Sequence, residues 1–205
     1  MVFVAFEGIE GSGKSTLLAA LAAELSKRGL DPLSTREPGG TPLGDSIRNL
    51  FLSRGSMIEP MAEAMLVNAA RAQHVSDVIA PRLKAGGIVL CDRYVDSTLA
   101  YQGYGRGLDL PALRALCDAA TGGLMPDVTF VLDVPLDVSR QRALQRGVAA
   151  DRLEAEDDAF HQRVRQGFLA LAADANHVVL DGRNAVDRLL EQGLTSLREF
   201  FEVTS

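Results

Sequence analysis

The sequence lacks several features that would assign it to particular classes of protein. No apolar run approaches the length of a membrane span, so no membrane association is predicted. Glu7, Glu10 and Lys14 interrupt the first apolar stretch, so no N-terminal secretion signal is expected. Only two cysteines are present, Cys91 and Cys117, and because they lack metal-ligand spacing we predict that both are small buried hydrophobic side chains. A cytoplasmic location is therefore predicted.

The chain also lacks an excess of positive charge. Its 27 acidic and 21 basic residues give a net charge of −6, which argues against binding a nucleic-acid polymer over a broad surface. If the ligands are anionic, local arginines must overcome this overall charge. The remaining composition, with 47% hydrophobic residues in a chain of 205, predicts one globular α/β domain that spans residues 1–205.

What the sequence does contain is a phosphate loop, residues 8–16, between an apolar stretch and a helical pattern. It fits G-x-x-x-x-G-K-[ST] at every required position. Its glycines let backbone N–H groups point at phosphate oxygens, Lys14 is predicted to reach the β- and γ-phosphates, and the Ser15 hydroxyl to bind Mg²⁺. The alternative, a flexible linker, does not require Lys14 and Ser15 at those positions. The predicted nucleotide-binding residues are Gly8, Ile9, Glu10, Gly11, Ser12, Gly13, Lys14, Ser15 and Thr16.

Apolar strand-like runs alternate with helical patterns along the chain. This alternation predicts a three-layer α/β/α fold with a five-stranded parallel sheet and helices on both faces. The predicted strands are Val2–Glu7, Leu33–Thr35, Ile88–Cys91, Val128–Asp133 and His177–Asp181. The predicted helices cover about 13–28, 43–52, 60–85, 97–103, 110–120, 136–146, 157–173 and 185–201, with Pro81 expected to bend or end the third.

A carboxylate and an arginine follow the third predicted strand. In phosphate-loop enzymes a carboxylate at a neighbouring strand end serves Mg²⁺, which makes Asp92 a candidate metal ligand with Ser15. Arg93 offers a planar fork for a phosphate. The alternative is a surface turn, which Asp and Arg also favour.

Two other segments carry charged residues in unusual settings. The run from Arg36 to Pro42 contains two prolines and two glycines, so it predicts a rigid loop, although a plain connector is an alternative. Arg71 lies in a helix predicted to be largely buried, so it requires an anion or a carboxylate partner. A structural ion pair is an equal alternative for Arg71, and His74 is favoured as a packed, hydrogen-bonding residue.

Four arginines and a glycine cluster in the last third of the chain. Arg140, Arg142, Arg146 and Arg152 surround Gly147 and are followed by acidic residues. We predict a flexible basic lid around residues 140–155 that closes over a transferring phosphoryl group and excludes water. The alternative is a solvated helix end with charge pairs, which explains the acidic part better than the basic part.

Taken together, these motifs resemble the thymidylate kinase family of nucleoside monophosphate kinases, in its bacterial-type branch. The resemblance implies a P-loop NTPase fold, a homodimer, and transfer of the γ-phosphoryl of ATP to the 5′-phosphate of dTMP with Mg²⁺. The matching stretches are 6–16, 36–41, 68–74, 92–103 and 151–154.

The resemblance also implies roles for individual residues. Glu10 is expected to face the deoxyribose 3′-hydroxyl, Arg93 to bind the dTMP phosphate, and Asp92 to support Mg²⁺ or that phosphate. The implied dTMP site comprises Glu10, Arg36, Pro38, Arg48, Val67, Arg71, Arg93, Ser97, Thr98, Tyr101 and Gln102. The implied catalytic group comprises Lys14, Asp92, Arg93, Arg142, Arg146 and Arg152.

Two features, one typical of the bacterial-type branch and one a departure from the family pattern, refine these expectations. The variable positions of the phosphate loop carry no basic residue, so the lid must supply the catalytic arginine, with Arg146 favoured over Arg142 and Arg152. Val67 stands where the family usually has a phenylalanine that stacks on thymine, so either thymine binds more weakly or Tyr101 compensates.

Two other functions stay open: a kinase for another nucleoside or deoxynucleoside monophosphate, and a nucleotide-dependent switch or binding protein. The switch is less favoured, because the chain has no Asn-Lys-x-Asp motif.

Overall fold

Five parallel strands form the centre of the fold. The computed structural model describes residues 1–55, 57–147 and 150–201, apart from the side chains of Arg146 and Phe201. The sheet has the order β2-β3-β1-β4-β5, and it confirms the predicted fold class. The strands are β1 (Val2–Glu7), β2 (Pro32–Arg36), β3 (Ile88–Asp92), β4 (Val128–Asp133) and β5 (His177–Asp181).

Helices connect the strands and follow the predicted positions within a few residues. Side chains of Thr41, Asp109 and Asp157 cap three of them by accepting a backbone N–H of the first turn. The helices are α1 (Lys14–Lys27), α2 (Pro42–Leu52), α3 (Pro60–His74), α4 (Ala80–Lys84), α5 (Val95–Thr98), α6 (Leu110–Thr121), α7 (Leu136–Arg146), α8 (Asp158–Leu171), α9 (Val186–Ser196) and α10 (Arg198–Phe201).

Three predicted helices differ from the observed ones in their internal geometry. The predicted helix 60–85 contains a π-helical segment, Val75–Ile79, just before Pro81. Proline cannot donate the regular hydrogen bond and crowds the preceding turn, and a wider turn accommodates it. The helix predicted near Ser97 starts earlier, as α5, and continues as a second π-helical segment, Leu99–Gly105. The last predicted helix is divided at Leu197 into α9 and α10.

The sheet is covered on both faces by apolar side chains. Alternate residues of β1 point to opposite sides: Phe3 and Ala5 belong to one cluster, and Val4 and Phe6 to the other. The first cluster packs against α3, α5, α6 and α8, and the second against α1 and α9. Cys91 and Cys117 are both buried and free, as predicted.

The register of the strands brings the polar segments to one edge of the sheet. Phe6 of β1 is paired with Asp92 of β3, and Asp92 is paired in turn with Arg36 of β2. The phosphate loop, the Asp92–Tyr94 segment and the loop after Arg36 therefore start side by side. In open parallel sheets, ligands bind at the carboxyl ends of the strands.

Candidate active site

The phosphate loop has a backbone that only glycine adopts readily. Gly8, Gly11 and Gly13 have φ values of +136°, +70° and +103°. A Cβ at Gly8 would lie 2.3 Å from the Leu132 carbonyl oxygen, and one at Gly11 would lie 2.9 Å from that of Ser139. The loop is thus packed tightly against β4 and α7, which leaves no space for side chains at these two positions.

Part of the loop lines a cleft that we call the phosphate-loop cleft. Three loop residues, Gly8, Ile9 and Ser12, are buried and do not line this cleft. The cleft is lined by Glu10, Gly11, Gly13, Lys14, Ser15, Thr16 and Leu17, together with Arg142, Gly182, Asn184, Val186 and Leu189. Six of the predicted nucleotide-binding residues are therefore exposed to one space.

The ammonium group of Lys14 is hydrogen-bonded to the backbone of the phosphate loop. It donates to the Ile9 carbonyl oxygen at 2.9 Å, and the side chain is buried. Burial lowers the pKa of Lys14 from 10.5 to about 8, and the positive charge of Arg93 acts in the same direction. An anion bound in the phosphate-loop cleft would favour the charged lysine.

Ser15, which lines this cleft, is hydrogen-bonded to Asp92, which does not line it. The Ser15 hydroxyl donates to an Asp92 carboxylate oxygen at 2.5 Å. A hydroxyl and a carboxylate are hard oxygen donors, the type that a divalent cation such as Mg²⁺ takes beside bound phosphates. The residues present therefore fit the metal site that the sequence predicts.

A second cleft, which we call the adjoining cleft, lies next to the first, and Glu10 lines both. Of the predicted dTMP-site residues, Arg36 is not among those that line the adjoining cleft. The others do so: Glu10, Pro38, Arg48, Val67, Arg71, Arg93, Ser97, Thr98, Tyr101 and Gln102. The lining also includes residues that were not predicted as site residues, namely Glu37, Phe51, Leu52, Tyr94, Asp151, Leu153, Glu154 and His161.

Arg93 lines the adjoining cleft and is hydrogen-bonded to the phosphate loop. Its Nη1 donates to the Gly8 carbonyl oxygen at 3.0 Å and to the Ser97 hydroxyl at 3.1 Å, and its Nη2 lies 3.5 Å from a Glu10 carboxylate oxygen. Arg93 also has a φ of +73°, which is rare for a residue with a side chain. Strained backbone of this kind is concentrated at functional sites.

Positive charges converge on the adjoining cleft. Burial lowers the pKa of Arg48, and the charges of Arg36 and Arg93 lower it further. Arg36 is exposed and does not line the adjoining cleft, but its positive charge still acts on Arg48. A bound anion would offset the electrostatic repulsion among these three cations.

Arg71 is anchored in the protein by an ion pair. Its Nε donates to Glu37 at 2.7 Å, and both side chains are buried. Further hydrogen bonds run to Asn68, Thr98 and the Tyr94 carbonyl oxygen. The structural alternative for Arg71 is thus realised, and the residue still lines the adjoining cleft. His74 has the hydrogen-bonding role that the sequence favours, with Nδ1 3.0 Å from Glu37 and Nε2 2.7 Å from Thr35.

The arginines of the predicted lid have different partners. Arg142 donates to the Gly11 and Gly182 carbonyl oxygens at 3.0 and 2.9 Å, so it is bonded to the phosphate loop and also lines its cleft. Arg140 is exposed and forms an ion pair with Asp158, and Arg152 forms one with buried Glu63. The side chain of Arg146, together with residues 148 and 149, lies outside the described part of the chain.

Two buried carboxylates were missed by the sequence analysis. Glu7, the last residue of β1, accepts hydrogen bonds from the Tyr94 and Ser97 N–H groups and from the Ser97 hydroxyl. Glu63 in α3 is completely buried among polar partners. The signal available in the sequence was an acidic residue in an apolar setting. Glu7 ends an otherwise apolar strand, and Glu63 lies in an apolar, alanine-rich helix.

The fold, the phosphate loop and the paired Ser15 and Asp92 define a phosphate-loop nucleotide-binding protein with a second ligand cleft. The thymidylate kinase family model matches residues 6–192, and the chain belongs to that family of enzymes.

Named relatives resemble the chain over most of its length. A thymidylate kinase from Desulfovibrio desulfuricans is 48% identical, covering 93% of this chain and 97% of the relative. One from Thermomicrobium roseum is 55% identical over 83% of this chain and 80% of the relative. A solved thymidylate kinase from Ehrlichia chaffeensis matches with a TM-score of 0.77 and 33% identity, over 96% of this chain and 98% of the other. In the described ranges, no helix is both long and apolar enough to span a membrane.

Proposed function

We propose that the protein transfers the γ-phosphoryl group of ATP to the 5′-phosphate of dTMP. The observation that carries this proposal is that the adjoining cleft meets the phosphate loop: Glu10 lines both clefts, and Arg93, which lines the adjoining cleft, donates to the Gly8 carbonyl oxygen. With ATP in the first cleft and dTMP in the second, the donor and acceptor phosphates would meet beside Lys14, Arg93 and the Ser15–Asp92 pair. Placing two reactants in contact is itself a large part of phosphoryl transfer catalysis.

The chemistry needs charge neutralisation more than acid–base catalysis. The acceptor phosphate is already an adequate nucleophile, so no side chain must remove a proton from it. Lys14 would neutralise the β- and γ-phosphates, and Arg93 with Arg48 and Arg36 the acceptor phosphate. Ser15 and Asp92 would hold Mg²⁺, which supplies further positive charge to the phosphates.

Polar side chains on one short helical stretch would recognise the nucleoside. Ser97, Thr98 and Gln102 line the adjoining cleft with hydrogen-bonding groups, and Tyr101 adds a ring. Glu10, which lines both clefts, is suited to the 3′-hydroxyl of the sugar. Val67 offers apolar contact to the base without an aromatic face.

Arg146 is our first choice for the catalytic arginine. It is the last residue of α7, four residues after Arg142, so the two share one side of the helix. Arg142 contacts the phosphate loop, which places this end of α7 near the proposed ATP site. Arg142 and Arg152 are the alternatives, although both donate to protein groups in this structure.

A single kinase domain with a lid, a homodimer and a cytoplasmic location complete the proposal. The homodimer is supported by exposed apolar side chains on two helices that pack together, α2 and α3, and on the loop between them. These side chains are Leu43, Leu50, Met57, Met61 and Met65. Light scattering coupled to gel filtration tests the dimer, and a monomer across the working concentration range would refute it.

The substrate assignment is tested with a panel of nucleoside monophosphates. Purified protein, ATP and Mg²⁺ are incubated with dTMP, dUMP, dCMP, dAMP or dGMP, and diphosphate products are separated by chromatography. We expect dTDP to form fastest. A much faster reaction with another acceptor would favour the alternative kinase, and acceptor-independent nucleotide binding without transfer would favour a switch or binding protein.

A further inference from the structure

We infer that Glu63 and Arg152 form a latch that docks the segment 150–156 against the adjoining cleft and fixes the amide of Gln102. In this role Arg152 positions groups for binding the acceptor and does not supply the transfer charge. The inference deepens the proposed function and rests on it for its kinetic consequences. Asp151, Leu153 and Glu154 of this segment line the cleft, so its docking completes one wall.

The latch is centred on a carboxylate that solvent does not reach. Glu63 has no exposed surface, and its oxygens accept from Arg106 Nη2 at 3.0 Å, from Gln102 Nε2 at 3.2 Å and from Arg152 Nη1. Arg106 forms a second ion pair with Glu156 at 2.6 Å. A buried charge needs one opposite charge and good hydrogen bonds, and Arg106 alone would neutralise Glu63. The second arginine is therefore not required for burial of the carboxylate, and it serves to bring the segment 150–156 to α3.

The charges remain balanced whether this segment is docked or not. The body of the protein contributes Glu63 and Arg106, and the segment contributes Arg152 and Glu156. The formal charges of each pair sum to zero. Undocking of the segment 150–156 would therefore leave Glu63 neutralised by Arg106. A docking contact of this composition can form and break without the cost of stranding a buried ion.

Arg152 also caps the end of α2. Its Nε donates to the Phe51 carbonyl oxygen at 3.0 Å, its backbone N–H donates to that of Leu52 at 3.3 Å, and its guanidinium lies 5.1 Å from the Phe51 ring centroid. The last carbonyls of a helix have no partner within the helix, so these contacts satisfy acceptors that would otherwise face water. Two elements that line the cleft, α2 and α3, are thus held by one side chain.

Docking has a direct effect on a cleft residue. Gln102 lines the adjoining cleft and donates to the same carboxylate that receives Arg152. Fixing Glu63 therefore fixes the orientation of the Gln102 amide. If Arg152 moved instead to the phosphates, it would abandon both Glu63 and the end of α2.

A double-mutant cycle separates the latch from a transfer role. Arg152→Met, Glu63→Gln and the double variant are compared for kcat and for KM of dTMP and ATP. The latch predicts that each single change raises the KM of dTMP by about tenfold with little change in kcat, and that the double variant is no worse than the poorer single variant. A fall in kcat caused by Arg152→Met that persists undiminished in the Glu63→Gln background would overturn the latch.

A second measurement does not depend on catalysis. Amide hydrogen exchange of 150–156 and of the end of α2 is compared between the wild type and Arg152→Met, a variant that leaves the Glu63–Arg106 pair intact. We expect faster exchange in both segments, and Arg28→Met, which removes an exposed arginine just after α1, should leave them unchanged. Equal exchange in the wild type and Arg152→Met would overturn the latch, whereas a wild type that does not phosphorylate dTMP would overturn the proposed function alone.

Discussion

The carboxylate of Glu7 accepts a hydrogen bond from the Ser97 hydroxyl at 2.6 Å. It also accepts the backbone N–H groups of Tyr94 and Ser97 at 2.7 and 3.1 Å. Glu7 immediately precedes the phosphate loop, and Ser97 lies in α5 and contacts Arg93. One buried side chain therefore fixes the distance between the phosphate loop and the helix that lines the adjoining cleft.

Glu7 is expected to make stability depend on pH. Burial raises the pKa of Glu7 from 4.5 to about 7, and the neighbouring Asp96 acts in the same direction, against Arg93. Between these values the native state retains a proton that the unfolded chain has lost, so its stability falls as pH rises. We expect the free energy of unfolding of the wild type, relative to Glu7→Gln, to decrease from about pH 4.5 to 7 and then to level off. Urea unfolding at a series of pH values measures this difference.

Subtracting the free energy of unfolding of Glu7→Gln from that of the wild type removes the contributions of titrating groups that do not interact with Glu7. His177, which bonds to Asp96 at 2.6 Å and has a raised pKa, titrates in both proteins, so the difference retains only the part of its pKa shift that the charge of Glu7 causes. Parallel stability curves for the two proteins across the whole range would refute a raised pKa at Glu7.

The sheet was predictable because buried parallel strands are encoded locally. Each strand is a short apolar run, and β1, β4 and β5 have the predicted bounds. The phosphate loop and Asp92 were predictable for a related reason, since strand ends in such sheets meet at one edge. Local sequence therefore located the phosphate-loop cleft, whereas the residues expected around the acceptor came from the resemblance to the family.

Partnerships between distant residues were not predictable from one sequence. Glu63 and Arg152 are 89 positions apart, and Glu7 and Ser97 are 90 apart, so no local pattern connects them. The π-helical segments were missed because their sequences have no separate signal beyond a helical one. Arg71 had two alternatives, an ion pair or a ligand contact, and only the three-dimensional position of Glu37 identified the ion pair.

Removing the Ser15 hydroxyl is expected to weaken the apparent affinity for Mg²⁺. Ser15→Ala leaves Asp92 without its partner at 2.5 Å and deletes one oxygen ligand of the proposed metal site. We expect the Mg²⁺ concentration that gives half-maximal rate to rise by about tenfold or more, a typical loss when a metal ligand's supporting group is removed. Initial rates over a Mg²⁺ titration at saturating ATP measure the shift.

Ser15→Thr is the matched control, because it retains a hydroxyl at the same position. It should keep a Mg²⁺ dependence much closer to that of the wild type. If Ser15→Ala and the wild type gave the same Mg²⁺ dependence, the proposed role of Ser15 as a metal ligand would be wrong.

Val67 sets the strength of contact with the base in our proposal. Tyr101 cannot fully replace a stacking ring, because the Arg93 guanidinium lies over its face at 5.2 Å from the ring centroid and its edge packs against Phe168. We expect Val67→Phe to lower the KM of dTMP by up to about tenfold, within the range that base–aromatic stacking contributes. Steady-state kinetics with dTMP as the varied substrate measure the change.

Val67→Leu separates stacking from bulk, because it adds apolar volume without a ring. It should leave the KM of dTMP near the wild-type value, and neither variant should change the KM of ATP. A KM of dTMP raised by Val67→Phe would mean that the adjoining cleft has no space for a stacked ring beside Thr98 and Gln102.

Truncation of Arg142 and truncation of Arg146, both in α7, are expected to change different kinetic constants. Arg142 holds the Gly11 and Gly182 carbonyl oxygens, so Arg142→Ala should loosen the phosphate loop and mainly raise the KM of ATP. Arg146→Ala should instead lower kcat by about 10³-fold or more with little effect on ATP affinity, the size of effect that a transition-state arginine has in phosphoryl transfer. Stopped-time assays of dTDP with ATP and dTMP varied separately give both constants. An unchanged kcat in Arg146→Ala would transfer the catalytic role to another arginine, and Arg142→Ala would then have to show the loss of kcat.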